Sequence, residues 1–348
     1  MGETLADLGE WELIRRLGAF APPGQFADDA ALVNHGGGEA GRLVLNTDVL
    51  VEGVHFSDAT TGPADVGWRA AAANLSDLAA MGCTEVAGIT VGLVAPGGTA
   101  WSWVEGVYAG LHQALERYGG EILGGDCSGG AQRLLAVTAL GRIGTAGGTI
   151  RRADGRPGDV IVCTGPHGLS RLGLALLQGE FRLPTGEASE PEASALAARA
   201  IAAHRRPQPR FDAVGALIAS RPAGLPWRVG GCDSSDGLAA AVAAIAAASG
   251  CAARLERRAL PIAPAMAAMP EAERWCLGGG EDFELVLALE PGWAAALAAA
   301  QPEALRIGEL VAGDPGELGW ADGSPWRADE EALASYRHFS GAGAVPAA

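Results

Sequence analysis

At 348 residues, with 49% hydrophobic and 19% charged side chains, the chain is long and apolar enough for two domains with cores of their own, and its composition excludes a disordered protein. A formal net charge of −16 argues against nucleic acid and anionic membrane surfaces as partners, because both need basic patches to displace counterions. No lysine occurs in the chain, so every fixed cation is an arginine or a protonated histidine, which excludes lysine-dependent phosphate loops and Schiff-base chemistry.

In chain order, strands are expected over Leu43–Val51 and Val86–Val94, with an Ala- and Leu-rich helix, Ala64–Met81, between them that stops at Gly82. A second helix, Ala100–Tyr118, stops at the Gly119–Gly120 pair, and strand patterns follow at Glu121–Gly124 and Leu134–Gly144. The Gly- and Pro-containing stretch Arg151–Asp159 precedes a new buried-strand pattern, Val160–Thr164, and divides the chain into domains at 1–150 and 151–340, with a frayed tail at 341–348. Further helices are expected at Ser170–Gln178, Ala193–His204, Asp212–Ser220 and Leu238–Ala248, and a strand at Phe283–Leu289. The Leu238–Ala248 run is too short to span a bilayer, the first residues carry no basic-then-apolar leader, and the six scattered cysteines form no CxxC pair. The expectation is a reduced, cytoplasmic protein without a zinc site or disulfide framework.

Five short segments set aspartate beside glycine or another small residue: Asp28–Asp29, Asn46–Asp48, Asn74–Asp77, Gly124–Asp126 and Asp233–Gly237. Singly, each is explained by turn chemistry. Asn74 and Asp77 lie three apart and share one face of an otherwise apolar helix, where a carboxylate is costly unless a cation meets it. Asp233, Ser234, Ser235 and Asp236 precede a helix start; capping accounts for one or two of them, and a metal-and-phosphate site for all four. Gly124–Asp126 reads equally as a hairpin loop or as backbone approaching a phosphate, and Gly278–Gly280 before Glu281 and Asp282 pose the same choice. Seven aspartates in such settings suit hard, oxygen-ligated cations, and several Mg²⁺ ions are implied.

These segments together resemble the thiamine-monophosphate kinase family of the aminoimidazole-ribonucleotide synthetase-like superfamily, from about Trp11 to Phe339. The motifs that carry the resemblance are Asp-Asp-Ala-Ala at Asp28, Thr-Asp-x-Leu-Val-x-Gly-x-His-Phe at Thr47, Asn-Leu-Ser-Asp-Leu-Ala-Ala-Met-Gly at Asn74, Gly-Gly-Asp at Gly124, Asp-x-Ser-Asp-Gly-Leu at Asp233 and Gly-Gly-Glu-Asp-Phe-Glu-Leu at Gly279. The resemblance implies an α+β fold of two domains: an N-terminal mixed sheet with helices that binds ATP and Mg²⁺ and pairs with its copy in a homodimer, and a C-terminal α/β domain. It implies Asp29, Asn46, Thr47, Asp48, Asp77, Asp126, Asp233 and Asp236 as metal ligands, with Asp77, Asp126 and Asp233 carrying catalysis. Gly125, Asp126, Arg152, Ser235 and Tyr108 are implied as nucleotide contacts, and His55, Glu281 and Tyr336 as contacts to thiamine monophosphate. The implied reaction is direct in-line transfer of the γ-phosphoryl of ATP to thiamine monophosphate. Alternatives are a related ATP-using synthetase with another acceptor and a non-catalytic nucleotide- or cation-binding protein. The family pattern is broken by Ala27 where glycine is usual, Asn46 where serine is usual and Ser234 where an apolar residue is usual.

Overall fold

The computed structural model describes residues 3–33, 42–183, 190–324 and 326; Tyr336 and the tail at 341–348 lie outside the described residues. The first sheet is built from β1 (Ala31–Val33), β2 (Leu43–Val51), β3 (Glu85–Ala95), β4 (Glu121–Gly129) and β5 (Leu134–Arg142), in the order β1-β2-β5-β3-β4. Its pairs are antiparallel except β3 with β4, which run parallel. Helix α1 (Leu5–Leu17) precedes the sheet, while α2 (Pro63–Ala80) and α3 (Trp101–Tyr118) cover one of its faces.

Alternation along β2 turns Val44, Asn46 and Leu50 toward those helices and leaves Leu45, Thr47 and Val49 exposed on the other side. Helix α2 starts at Pro63, whose fixed φ suits a first helical position, and ends before Gly82 at φ +85. It lies close against α3 because both glycines at the crossing lack side chains: a Cβ on Gly67 would stand 1.9 Å from the Val107 carbonyl oxygen, and one on Gly110 would stand 1.8 Å from that of Ala64.

The second sheet, in the order β11-β8-β10-β6-β9-β7, consists of β6 (Val160–Cys163), β7 (Gly230–Asp233), β8 (Ala252–Leu255), β9 (Leu285–Leu289), β10 (Leu305–Val311) and β11 (Leu318–Trp320). It is a mixed sheet whose parallel pair is β11 with β8. Around it lie α4 (Leu169–Gln178), α5 (Glu190–Arg205), α6 (Phe211–Ala219), α7 (Leu238–Ala248), α8 (Ala272–Gly278) and α9 (Pro291–Ala300). Every residue of β6 and β9 is buried, because helices pack on both faces: α7 and α8 against Ile161, Val286 and Ala288, and α6 and α9 against Val160, Leu287 and Leu289. Both halves of the chain therefore join mixed sheets to helices, as expected of the α+β class.

Helix α2 belongs to both cores, since Val66–Leu78 pack under the first sheet while Ala79 and Ala80 pack with the second. Two expectations change. Gly124–Asp126 is no hairpin loop but lies within β4, which continues to Gly129; a Cβ on Gly125 would stand 2.0 Å from the Val91 carbonyl oxygen, so glycine is what lets β4 approach β3. The strand expected from Phe283 begins at Leu285, because Phe283 has φ +52 and cannot continue a pleat.

Candidate active site

Three elements converge on an acidic cluster in which Asp233 is buried and the other aspartates are half-buried. Asn46 and Asp48 come from the helix-facing side of β2, Asn74, Ser76 and Asp77 from α2, and Asp233 from the end of β7. The Asn46 side-chain amide donates to Asp77 at 2.7 Å and to the Asn74 oxygen at 3.2 Å, and that oxygen also accepts the backbone N–H of Asp48 at 3.1 Å. Ser76 donates its hydroxyl to Asp233 at 2.6 Å. From the loop before β1, Asp29 accepts the Asp233 backbone N–H at 3.3 Å and pairs with the Arg152 guanidinium, while Asp28 accepts the Arg152 backbone N–H at 2.9 Å.

Crowding shows in the titration of these groups. Burial pushes the Asp29 carboxyl up to about 7 despite Arg152, and burial followed by the charge of Asp233 pushes Asp48 up to about 6. Asp77 is raised well above the carboxylate range, first by burial and then by Asp48, Asp233 and Asp29. Burial also raises Asp233, against the hydrogen bond from Ser76. Four carboxylates, one buried and three half-buried, facing one arginine call for further positive charge, and the buried Asn46 Oδ1 has no hydrogen-bond partner. This all-oxygen donor set fits Mg²⁺. Among the described residues no three His, Cys, Asp or Glu side chains gather into a self-sufficient metal site. Mg²⁺ takes one or two carboxylates and shares the rest of its coordination with water and substrate phosphate.

Other expected residues lie elsewhere. Thr47 points to the opposite face of β2, where its hydroxyl pairs with Thr138 at 2.8 Å, so its side chain is not part of the cluster. Asp126 is exposed on β4, the sheet edge; its row runs through Gly92 and Ala136 to Val49, so three strand spacings, about 14 Å, separate it from β2. Within one chain Asp126 does not join the cluster. Gly125 shares that edge, and the half-buried Tyr108 of α3 sits beside Cys127 there. Ser235 and Asp236 are exposed in the turn leading into α7. The Ser235 carbonyl accepts the backbone N–H of Glu281 at 2.7 Å, which ties the turn before α7 to the loop at 280–283.

His55 and Glu281 are brought together by a residue that motif reading passed over. Arg69 of α2, its side chain only 4% exposed, donates to Glu281 at 2.5 Å and to the His55 carbonyl at 3.4 Å. The signal for it in the sequence is an arginine inside an apolar, Ala-rich helix. Two of the departures have local explanations. Ser234 Oγ lies 2.8 Å from Nε2 of the buried His167, so its hydroxyl has a partner that an apolar residue would not offer. Among the described residues only Glu281 and Phe283 are non-glycine residues with positive φ, so Ala27 needs no glycine conformation.

Family models match both halves of the chain: the AIR synthase related protein, N-terminal domain, over residues 27–143, and the AIR synthase related protein, C-terminal domain, over residues 156–321. The thiamine-monophosphate kinase of Prochlorococcus marinus is 46% identical over 321 residues, which is 92% of this chain and 93% of that protein. The thiamine-monophosphate kinase of Synechococcus elongatus is 50% identical over 296 residues, 84% of this chain and 86% of that one. Among solved structures, AaThiL complexed with AMPPCP and TMP matches with a TM-score of 0.77 at 28% identity, covering 94% of this chain and 97% of that chain.

Proposed function

The chain belongs to the thiamine-monophosphate kinases of the AIR synthase related family, and from that premise we propose that it transfers the γ-phosphoryl of ATP in line, and with Mg²⁺, to thiamine monophosphate, giving thiamine diphosphate and ADP. The observation that carries this reading is the meeting of the half-buried Asp29, Asp48 and Asp77 with the buried Asp233, on elements from both halves of the chain with Arg152 against them.

The acceptor is itself a phosphate with a second pKa near 6, already largely dianionic at neutral pH, so no strong general base is required. What remains is to align two polyanions and neutralise their charge. Asp29, Asn46 Oδ1, Asp48, Asp77 and Asp233 are the groups that would hold Mg²⁺ here; bound, it would supply charge neutralisation for the substrate phosphates. Arg152 supplies fixed charge beside Asp29, and its Nε–H, buried and unpartnered, remains free to donate. The turn at Ser235 and Asp236 presents exposed backbone and oxygen groups to a phosphate at the start of α7, and His55 and Glu281 face the acceptor.

We further propose a homodimer formed through the uncovered face of the first sheet, where Leu45, Val49 and Leu123 are 38–55% exposed, together with the unpaired edge of β4. Such pairing accounts for Asp126, Gly125 and Tyr108 as members of a nucleotide site that one chain does not assemble alone. No helix among the described residues is long and apolar enough to cross a membrane, and the cytoplasm is the compartment this reading assigns.

The test is ADP release from ATP with thiamine monophosphate, with free thiamine as control. Turnover with the monophosphate alone, abolished by EDTA, is expected; turnover equal with free thiamine, or none with either, would refute the reading.

A further inference from the structure

Arg69 and Asp77 stand eight residues apart on α2, about 12 Å along the helix axis. Asp77 lies in the aspartate cluster, whereas Arg69 directs its two Nη groups to the acceptor side: Nη2 to Glu281 and to the His55 carbonyl, and Nη1 to the carbonyl of His204, while its buried Nε–H has no partner. His204 Nδ1 lies 3.5 Å from the other Glu281 oxygen, but burial and the neighbouring Arg69 push this imidazole down to about 3, so it is neutral and Arg69 is the charge that Glu281 faces there. Glu281 sits at φ +57, a conformation that residues with side chains rarely adopt and that persists where the surroundings over-determine it. The backbone bond from its N–H to Ser235 and the ion pair to Arg69 are two such constraints.

We propose that Arg69 is a positioning residue for the acceptor: it holds Glu281 and the His55 turn at a set distance from the aspartate cluster, so that one helix fixes the span between acceptor site and phosphoryl-transfer centre. The inference rests on the kinase reading and on Glu281 and His55 as acceptor contacts. It differs from a plain inter-domain staple in its consequence, because a staple would affect both substrates alike.

Steady-state kinetics with each substrate varied in turn distinguishes the two for the unmodified protein, Arg69→Met, Arg69→Lys, Glu281→Gln and the double variant Arg69→Met/Glu281→Gln. Arg69→Met is expected to raise the KM for thiamine monophosphate about tenfold or more while the KM for ATP stays within about twofold. Arg69→Lys should recover part of that loss, since it keeps the charge but not the planar fork. The double variant should be no worse than its worse parent, as coupled residues require. An unchanged KM for thiamine monophosphate, equal rises in both KM values, or additive losses would overturn the inference. If Arg69→Met does not fold, Arg69→Lys with and without Glu281→Gln decides by the same criteria. Absence of turnover in the unmodified protein would overturn the kinase reading and this inference with it, whereas turnover with unaltered KM in the variants would overturn the inference alone.

Discussion

Asn46 donates its amide N–H to Asp77 at 2.7 Å across the gap between β2 and α2, and this hydrogen bond leaves Asn46 Oδ1 buried without a partner. The oxygen is the free donor of the cluster, so its removal should be felt as weaker cation binding. Asn46→Leu, similar in size but without the oxygen, should raise the Mg²⁺ concentration for half-maximal activity about tenfold or more. Asn46→Ser, which installs the residue usual in the family, should stay within about threefold of the unmodified protein. Mg²⁺ titrations of initial rate check both.

Asp77 lies where three other carboxylates raise the cost of its charge. Asp77→Asn should therefore stabilise the cation-free protein by about 1 kcal/mol or more while lowering turnover about a hundredfold or more. Urea melts in EDTA and saturating kinetics measure the two effects. A variant both less stable without cation and fully active would contradict the role given to this residue.

Cation binding and pH should be linked through Asp29 and Asp48, whose folded values of about 7 and about 6 lie above the ordinary 3.8. A raised carboxyl favours the folded state while it holds its proton, so without Mg²⁺ this contribution is present below the ordinary value and is lost as pH rises through about 6 to 7. The buried His167, pushed down to about 4, and His204, pushed down to about 3, act with the opposite sign: their contribution is present above the ordinary 6.5 and is lost as pH falls. The increment that Mg²⁺ adds to Tm isolates the carboxyls from the histidines. It should be larger at about pH 7.5 than at about pH 5.5, because at the lower pH the ion must displace protons.

The close crossing of α2 and α3 makes a prediction about packing. Gly67→Ala and Gly110→Ala each set a methyl against a backbone carbonyl, which cannot rotate away, so each should destabilise by about 2 kcal/mol or more. Denaturant midpoints check this. Because α2 carries both Asp77 and Arg69, residual activity should fall as well.

The elements visible in the sequence were those with local punctuation: α2 between Pro63 and Gly82, α3 ending at Gly119, and β2 with its alternating faces. Long-range pairing was not visible. Gly124–Asp126 resembles a turn because nothing nearby in sequence announces the parallel partner β3, and the sequence alone offers no sign that Val91 needs a glycine opposite it. The aspartates could be named from their motifs, but motifs carry no distances, so the separation of Asp126 from the cluster and the outward turn of Thr47 emerge only from the sheet. The role of Arg69 is not legible in the sequence because its partner Glu281 is 212 residues away, and the same holds for Ser76 with Asp233, 157 residues apart.

The most direct test follows the label from γ-labelled ATP in the presence of Mg²⁺ and thiamine monophosphate, with products separated and identified by mass. Label is expected in the terminal phosphate of thiamine diphosphate and none on the precipitated protein, and the transfer should be lost with EDTA or in Asp77→Asn. Label retained on the protein or released only as orthophosphate, or undiminished transfer by Asp77→Asn, would contradict direct transfer at the aspartate cluster.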